Sequence, residues 1–438
     1  MTLISNRFKL ENKSLIFSLL KLQVKRGISL FSNQTFLLGF INIMQRFFTF
    51  AIFAFLSKYF SSIEYGNYVY IILIIGLSLE LSNSGLFQGI QNEISRTKFQ
   101  ANERFNIISA SYFSTTFIVL INIFFVCIIY FSNRANIYQI YSTFELVLFI
   151  GGFIISSSFF SLGNTILIGI TNIRSLFISN LIQGVLSLIF ILILFTSHRQ
   201  NAVLVLFSLS SSYFITIIYQ IFVIKPIVSF KYLDIKKLFN KGRWFVLWSL
   251  VSVIESRADS YLLSSKISLQ AIAIFDIATK FLILGQLITS TLSQRYIPEI
   301  LSKSELEINS SIRLRKTTIS FIPILFFLIL PVSLFINVYY QGRYDKSIFC
   351  FAILTIGMCF NLLNILNTTK IIKYGAEKYL FILMTISLLI KLPFAFKLIS
   401  EFDVFGASIS SALSQFITFV IFYLFTNHYI LNKWKAKS

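Results

Sequence analysis

Three cysteines and two histidines in 438 residues leave little material for redox or metal chemistry. Cys127, Cys350 and Cys359 fall in apolar runs, are odd in number and lack metal-ligand spacing, which argues against both a disulfide framework and a zinc site. His198 and His428 stand at the ends of apolar segments, so a histidine proton relay inside a membrane is not expected. The chain has no P-loop, no dinucleotide-binding glycine fingerprint, no HExxH and no CxxC. ATP hydrolysis and metal-assisted hydrolysis are thereby excluded as leading readings, and neither an enzyme nor a cofactor is expected.

Charge is also scarce. Only 13% of residues are Asp, Glu, Lys or Arg, against 56% hydrophobic and 51 phenylalanines. A mean hydropathy of +0.79 is too high for a soluble domain of ordinary composition. A membrane-crossing helix needs about 20 mostly apolar residues, and such windows recur at 28–57, 66–91, 105–130, 142–170, 175–196, 202–224, 243–266, 270–297, 316–336, 347–369, 379–399 and 404–427. The expected fold is an all-α integral membrane protein of about twelve spans.

Acidic residues are outnumbered by basic ones, 17 to 38. The basic excess does not point to nucleic acid, because it alternates from one connection to the next. One set of connections, together with the two ends, holds 26 of the 38 Lys and Arg; the opposite set holds 7, and Arg46, Arg257, Lys280, Arg295 and Lys391 fall within spans. Short loops rich in Lys and Arg stay cytoplasmic, so both termini are expected inside, in a multi-pass membrane protein.

The longest basic connection follows the sixth span and divides the chain evenly. The expected organisation is a basic arm at 1–27, a six-helix bundle at 28–224, a linker at 225–242, a second six-helix bundle at 243–427 and a basic tail at 428–438. Arg7, Lys9, Lys13, Lys21, Lys25 and Arg26 surround the apolar run LIFSLL in the arm, and no small-residue cleavage site follows it. An interfacial helix against acidic headgroups or an unstructured tail would each fit. Two bundles of equal topology form parallel repeats, an arrangement common among transporters.

Charges inside the spans carry the functional information. In SLVSVIESRADSYLLSS, Glu255, Arg257 and Asp259 would together cost roughly 8–10 kcal/mol if they faced lipid. They must face protein or water. On a helix Glu255 and Asp259 share a side and Arg257 points about 160° away, so at least one side needs partners elsewhere in the bundle. Asp276 and Lys280 are four apart and suit an intrahelical pair, and Arg295 follows some 22 Å further along the axis. Arg46 and Glu80 lie on adjacent spans and suit either a buried pair or, for Arg46, a cavity wall. Lys391, beside Pro393, is expected to reach the interface or to face a cavity. Asn364 and Asn367 share one side of the tenth span, which suits interhelical hydrogen bonds.

Two hairpins carry a family likeness. LSKYFSSIEYGNYVY (56–70) with GLSLELSNSGLFQGIQNEISR (76–96), and RADSYLLSSKISLQAIAIFDIATKF (257–281) with QRYIPEI (294–300), resemble matching hairpins of polysaccharide export flippases. The second departs from the pattern at Ala273-Ile274-Phe275, where many relatives have a Gly-aromatic pair. The resemblance implies an O-antigen or capsule repeat-unit flippase of the multidrug/oligosaccharidyl-lipid/polysaccharide exporter superfamily. Such proteins move undecaprenyl-diphosphate-linked oligosaccharide between leaflets of the bacterial inner membrane by alternating access. It further implies membrane lipid, a polysaccharide polymerase and a chain-length regulator as partners, and no nucleic acid. On that reading Arg46, Arg257, Lys280 and Arg295 form the cationic substrate site. Glu80, Glu255, Asp259 and Asp276 serve as their charge partners or exchange a coupling ion. A multidrug exporter of the same superfamily and a polysaccharide polymerase are the rival readings.

Overall fold

A computed structural model describes residues 34–83, 87, 90–91, 94, 101–132, 143–197, 201–225, 232–302, 308–373 and 376–430, some of them by backbone alone. Among the described residues all regular structure is helical: α1 (Gln34–Tyr59), α2 (Ser62–Asn83), α3 (Ala101–Ser132), α4 (Thr143–Gly169), α5 (Ile173–Thr196), α6 (Ala202–Ile224), α7 (Tyr232–Lys266), α8 (Leu269–Ser302), α9 (Ile308–Phe327), α10 (Ile329–Tyr340), α11 (Lys346–Lys373) and α12 (Glu377–Leu424). The expected N-terminal arm and most of the C-terminal tail lie outside the described residues. Residues 232–242, expected in the linker, run without a break into the seventh span as one 35-residue helix.

By length and composition, nine helical stretches among the described residues suffice to cross a membrane. The difference from the expected twelve has a physical origin at three places. Helix α2 qualifies only as the shorter apolar stretch Ser62–Gly76. Helix α7 carries the charges of the ESRAD run and is not among the nine. The stretch Lys378–His428, at 51 residues, is about twice the length a bilayer requires. Its backbone turns at Asp403 (φ 49°, ψ −124°), between the two spans expected there. Gly406 sits against this turn; a Cβ would lie 2.0 Å from the Leu398 carbonyl oxygen, so no larger residue fits.

Proline explains another break. The expected ninth span is split at Leu328, between α9 and α10. Pro331 has no N–H to bond the Phe327 carbonyl, so the helical ladder loses a rung at this point.

Apart from α2, helices α1–α6 pack mainly on one another, as do α7–α12, with α4 on α6, α5 on α6, α7 on α12 and α11 on α12 as prominent pairs. The two groups meet where α2 lies on α7 and α8. Gly66 makes the closest of these approaches possible, because a Cβ there would sit 2.1 Å from the Leu269 carbonyl oxygen. One apolar core, including Phe53, Tyr65, Ile71, Phe281 and Phe351, runs through both groups. A separate cluster around Ile41, Ile90 and Ile166 serves α1–α6 alone.

Candidate functional site

Where the groups meet, three helices present polar side chains among apolar ones. Along α1, Asn42, Gln45, Arg46 and Thr49 recur at helical spacing, and along α2 Tyr65, Tyr68, Val69 and Ile72 do the same. Along α8 the matching set is Asp276, Thr279, Lys280 and Ile283. These faces enclose two adjoining cavities. The first, about 470 Å³, lies mainly among α1, α2, α4, α5 and α6. The second, about 380 Å³, lies mainly among α7, α8, α11 and α12. Arg46, Arg257, Asp276 and Lys280 line both, and so mark the junction between them.

Three cations and one carboxylate meet at this junction, a surplus of two positive charges. Asp276 is buried, accepts a 2.6 Å hydrogen bond from the Tyr65 hydroxyl and lies 3.7 Å from the Lys280 ammonium. Arg46 donates to the neutral Gln286 side chain at 3.3 Å. Arg257, half-buried, makes no hydrogen bond or ion pair with any described side chain; its guanidinium passes over Gly76, 3.7 Å from where a Cβ would stand. Partly desolvated cations without carboxylate partners are costly, and a bound anion would offset that cost.

The other side of α7 is built differently. Glu255 and Asp259 turn away from Arg257 toward α12, as their spacing requires. Lys391 reaches both, with its ammonium 2.7 Å from Asp259 Oδ2, 3.6 Å from Glu255 Oε1 and 2.6 Å from the Glu255 carbonyl oxygen. Ser410 and Ser411 donate to the two Asp259 oxygens at 2.9 and 2.6 Å, and Ser414 donates to Glu255. The expectation that Lys391 reaches the membrane interface is corrected by this arrangement. The side chain is 2% exposed, and its ammonium is enclosed by two carboxylates instead of headgroup water.

Of the expected site residues, the structure brings Arg46, Arg257, Lys280 and Asp276 to one junction and places Glu255 on the wall of the second cavity, with Asp259 fully buried behind it. Glu80 and Arg295 fall on α2 and α8, and their side chains lie outside the described residues. Sequence reasoning gave no site role to Tyr68, Gln183 or Tyr213, which line the first cavity. The i, i+3 spacing of Tyr65 and Tyr68 was the available signal. Asn364 and Asn367 are both buried, and Asn367 donates to Asn364 at 3.3 Å within α11, rather than in the expected interhelical bond.

Comparisons with known proteins bear on what such a junction serves. A model of the family described as polysaccharide biosynthesis protein matches residues 55–349. The capsular polysaccharide biosynthesis protein CapF of Staphylococcus aureus is 25% identical over 273 residues, which cover 58% of this chain and 67% of CapF. An inward-facing multidrug resistance transporter of the MATE family, in the MOP superfamily, superposes with a TM-score of 0.71 at 13% identity, over 91% of this chain and all of that one. The lipid II flippase MurJ, in an inward closed conformation, superposes with a TM-score of 0.69 at 16% identity, over 91% of this chain and 87% of MurJ. At these identities the structural likeness establishes a shared fold.

Proposed function

Because the chain belongs to the polysaccharide biosynthesis protein family, we propose that it is a flippase for undecaprenyl-diphosphate-linked oligosaccharide, the repeat unit of an O-antigen or capsule. It carries this lipid from the inner to the outer leaflet of the bacterial plasma membrane. The observation that carries the reading is the surplus of positive charge where the two cavities meet, with Arg257 lacking any described partner. A diphosphate and its glycan cannot cross hydrocarbon unaided. Arg46, Arg257 and Lys280 replace the water around the phosphate oxygens with charge-assisted hydrogen bonds. The polyprenyl tail, apolar throughout, stays in lipid. A carrier of cationic drugs would meet repulsion at the same place. Arg295 is assigned to the approach from the cytoplasmic end of α8, and Glu80 to a charge partner on α2. Neither Glu255 nor Asp259 is assigned as a partner of Arg46, Arg257 or Lys280, since both are paired with Lys391 on the other side of α7.

The test is removal of the gene in its host followed by lipid analysis by leaflet. Lipid-linked glycan is expected to accumulate facing the cytoplasm, and restoration of the gene should clear it. Delivery of the glycan to the outer leaflet at an unchanged rate without this chain would reject the proposal.

Transport proceeds by alternating access, with 28–224 and 243–427 rocking about the junction. At the end of the bundle that holds the α1–α2 turn, the two halves are fastened together. Tyr339 donates to the Ala54 carbonyl at 3.2 Å, the Ser57 and Tyr340 hydroxyls are 2.7 Å apart, and Arg343 donates to the carbonyls of Phe60 at 2.8 Å and Lys58 at 3.3 Å. Arg343 thus caps the negative end of α1. By the distribution of loop charge this end faces outward, so the state is closed to the outside. Removing charged hydrogen bonds of this kind costs about 1.5–3 kcal/mol and shifts the balance of states roughly 10- to 100-fold. Arg343→Ala should therefore widen the distance between spin labels at Ile63 and Asp345; an unchanged distribution would remove Arg343 from the closure.

A further inference from the structure

The two cavities that share the cationic junction differ in chemistry. The second is walled by charged and hydroxyl groups, including Glu255, Lys391, Ser256, Ser260 and Ser411. Among the described residues, the first has no charged side chain other than those at the junction. Its wall combines aromatic rings with neutral polar tips. Tyr213 packs edge-on against Phe153, with ring centroids 5.8 Å apart, and lies 5.0 Å from Phe160. Tyr68, Tyr213 and Asn42 line this cavity, and their side chains make no hydrogen bond to a described residue. Gln183 spends its amide N–H on Ser187 at 3.0 Å and keeps its carbonyl oxygen free.

Polar tips on a largely apolar wall that bond no described residue are free to bond water or a ligand. Rings and neutral hydrogen-bonding groups side by side suit a sugar, whose faces are apolar and whose rim carries hydroxyls. Resting on the proposed transport reading, we infer that the first cavity is the saccharide subsite: it takes an uncharged sugar attached to the diphosphate, while the diphosphate sits at Arg46, Arg257 and Lys280. The volume, about 470 Å³, is in the range of small-molecule sites. Tyr68, Tyr213, Asn42 and Gln183 are then the residues that distinguish a glycosylated lipid from a bare one, and the second cavity contributes little to that distinction.

The two halves of this assignment separate in a binding experiment on the full chain in nanodiscs. Three probes are compared: a polyprenyl diphosphate, the same lipid carrying one uncharged hexose, and the same lipid carrying a hexuronate. The native chain should bind the hexose form about tenfold more tightly than the bare lipid, the equivalent of one to two good hydrogen bonds. The hexuronate should bind no more tightly than the hexose. Tyr213→Ala should abolish the preference for the hexose form while leaving affinity for the bare lipid unchanged. Asn42→Ala, which breaks no hydrogen bond to a described residue, should reduce that preference in a protein of native melting temperature, so the outcome does not depend on one variant folding. Equal binding of bare and hexose lipids by the native chain would overturn the subsite and leave the transport reading standing, as would tighter binding of the hexuronate or an equal loss for both lipids in Tyr213→Ala. Binding of none of the three by the native chain would overturn both.

Discussion

Replacing Arg257 with glutamate is expected to reduce flipping of lipid-linked glycan to background while leaving the protein folded. Loss of a charge-assisted hydrogen bond to phosphate costs about 1.5–3 kcal/mol, and a carboxylate facing a diphosphate adds repulsion, so the combined effect is roughly 100-fold or more. The fold should survive because Arg257 has no ion-pair partner among the described residues, so its removal orphans none of them. The measurements are complementation of a deletion strain, read as surface glycan, and the thermal melt of the purified variant. Full complementation by Arg257→Glu would reject the cationic junction as the binding site. A collapsed melt would instead show Arg257 to be a structural cation.

The element pattern of this protein was largely legible because hydrophobic length is a local property. Residues 105–130, 175–196 and 202–224 are each read from composition and each fall on one continuous helix. The failures are local exceptions to that rule. Pro331 divides the ninth apolar run into α9 and α10, whereas the turn at Asp403 falls in the gap expected between the last two spans. Residues 232–242 carry enough charge to read as a linker, yet they continue α7.

The site was legible only in part, for a different reason. Insertion cost shows that a buried charge needs a partner, but not which one. The opposed directions of Arg257 and of Glu255 with Asp259 follow from helix geometry alone. Their destinations do not. Tyr65 meets Asp276 from 211 positions away, and Lys391 meets Glu255 from 136 away. The closest sequence signal for the second contact lies in SISSALS on α12, where Ser410, Ser411 and Ser414 share a side that has no evident apolar purpose. Serines in lipid-spanning helices are common enough that the pattern identifies a partner only once α7 is seen beside α12.

Lys391→Met should have the opposite signature to Arg257→Glu, with the fold failing first. The substitution leaves Asp259, at 0% exposure, with an uncompensated charge that two serine hydroxyls cannot neutralise. Breaking a buried pair by removing one partner costs about 3–5 kcal/mol. For a membrane protein of ordinary marginal stability that is enough to lose most of the folded material. The repair should be specific. Glu255 lines the second cavity and its side chain retains 12% exposure, so water can solvate it. Asp259 has no such outlet. Adding Asp259→Asn to Lys391→Met should therefore recover most of the lost stability, whereas adding Glu255→Gln should recover little. Melting temperatures of the three variants decide the matter. Transport by the repaired double variant, which keeps Arg46, Arg257 and Lys280, is expected to return with the fold. A repaired fold without transport would mean that the lysine, and not only its burial, takes part in moving the lipid. An unchanged melt for Lys391→Met alone would show that the cluster carries none of the stability assigned to it.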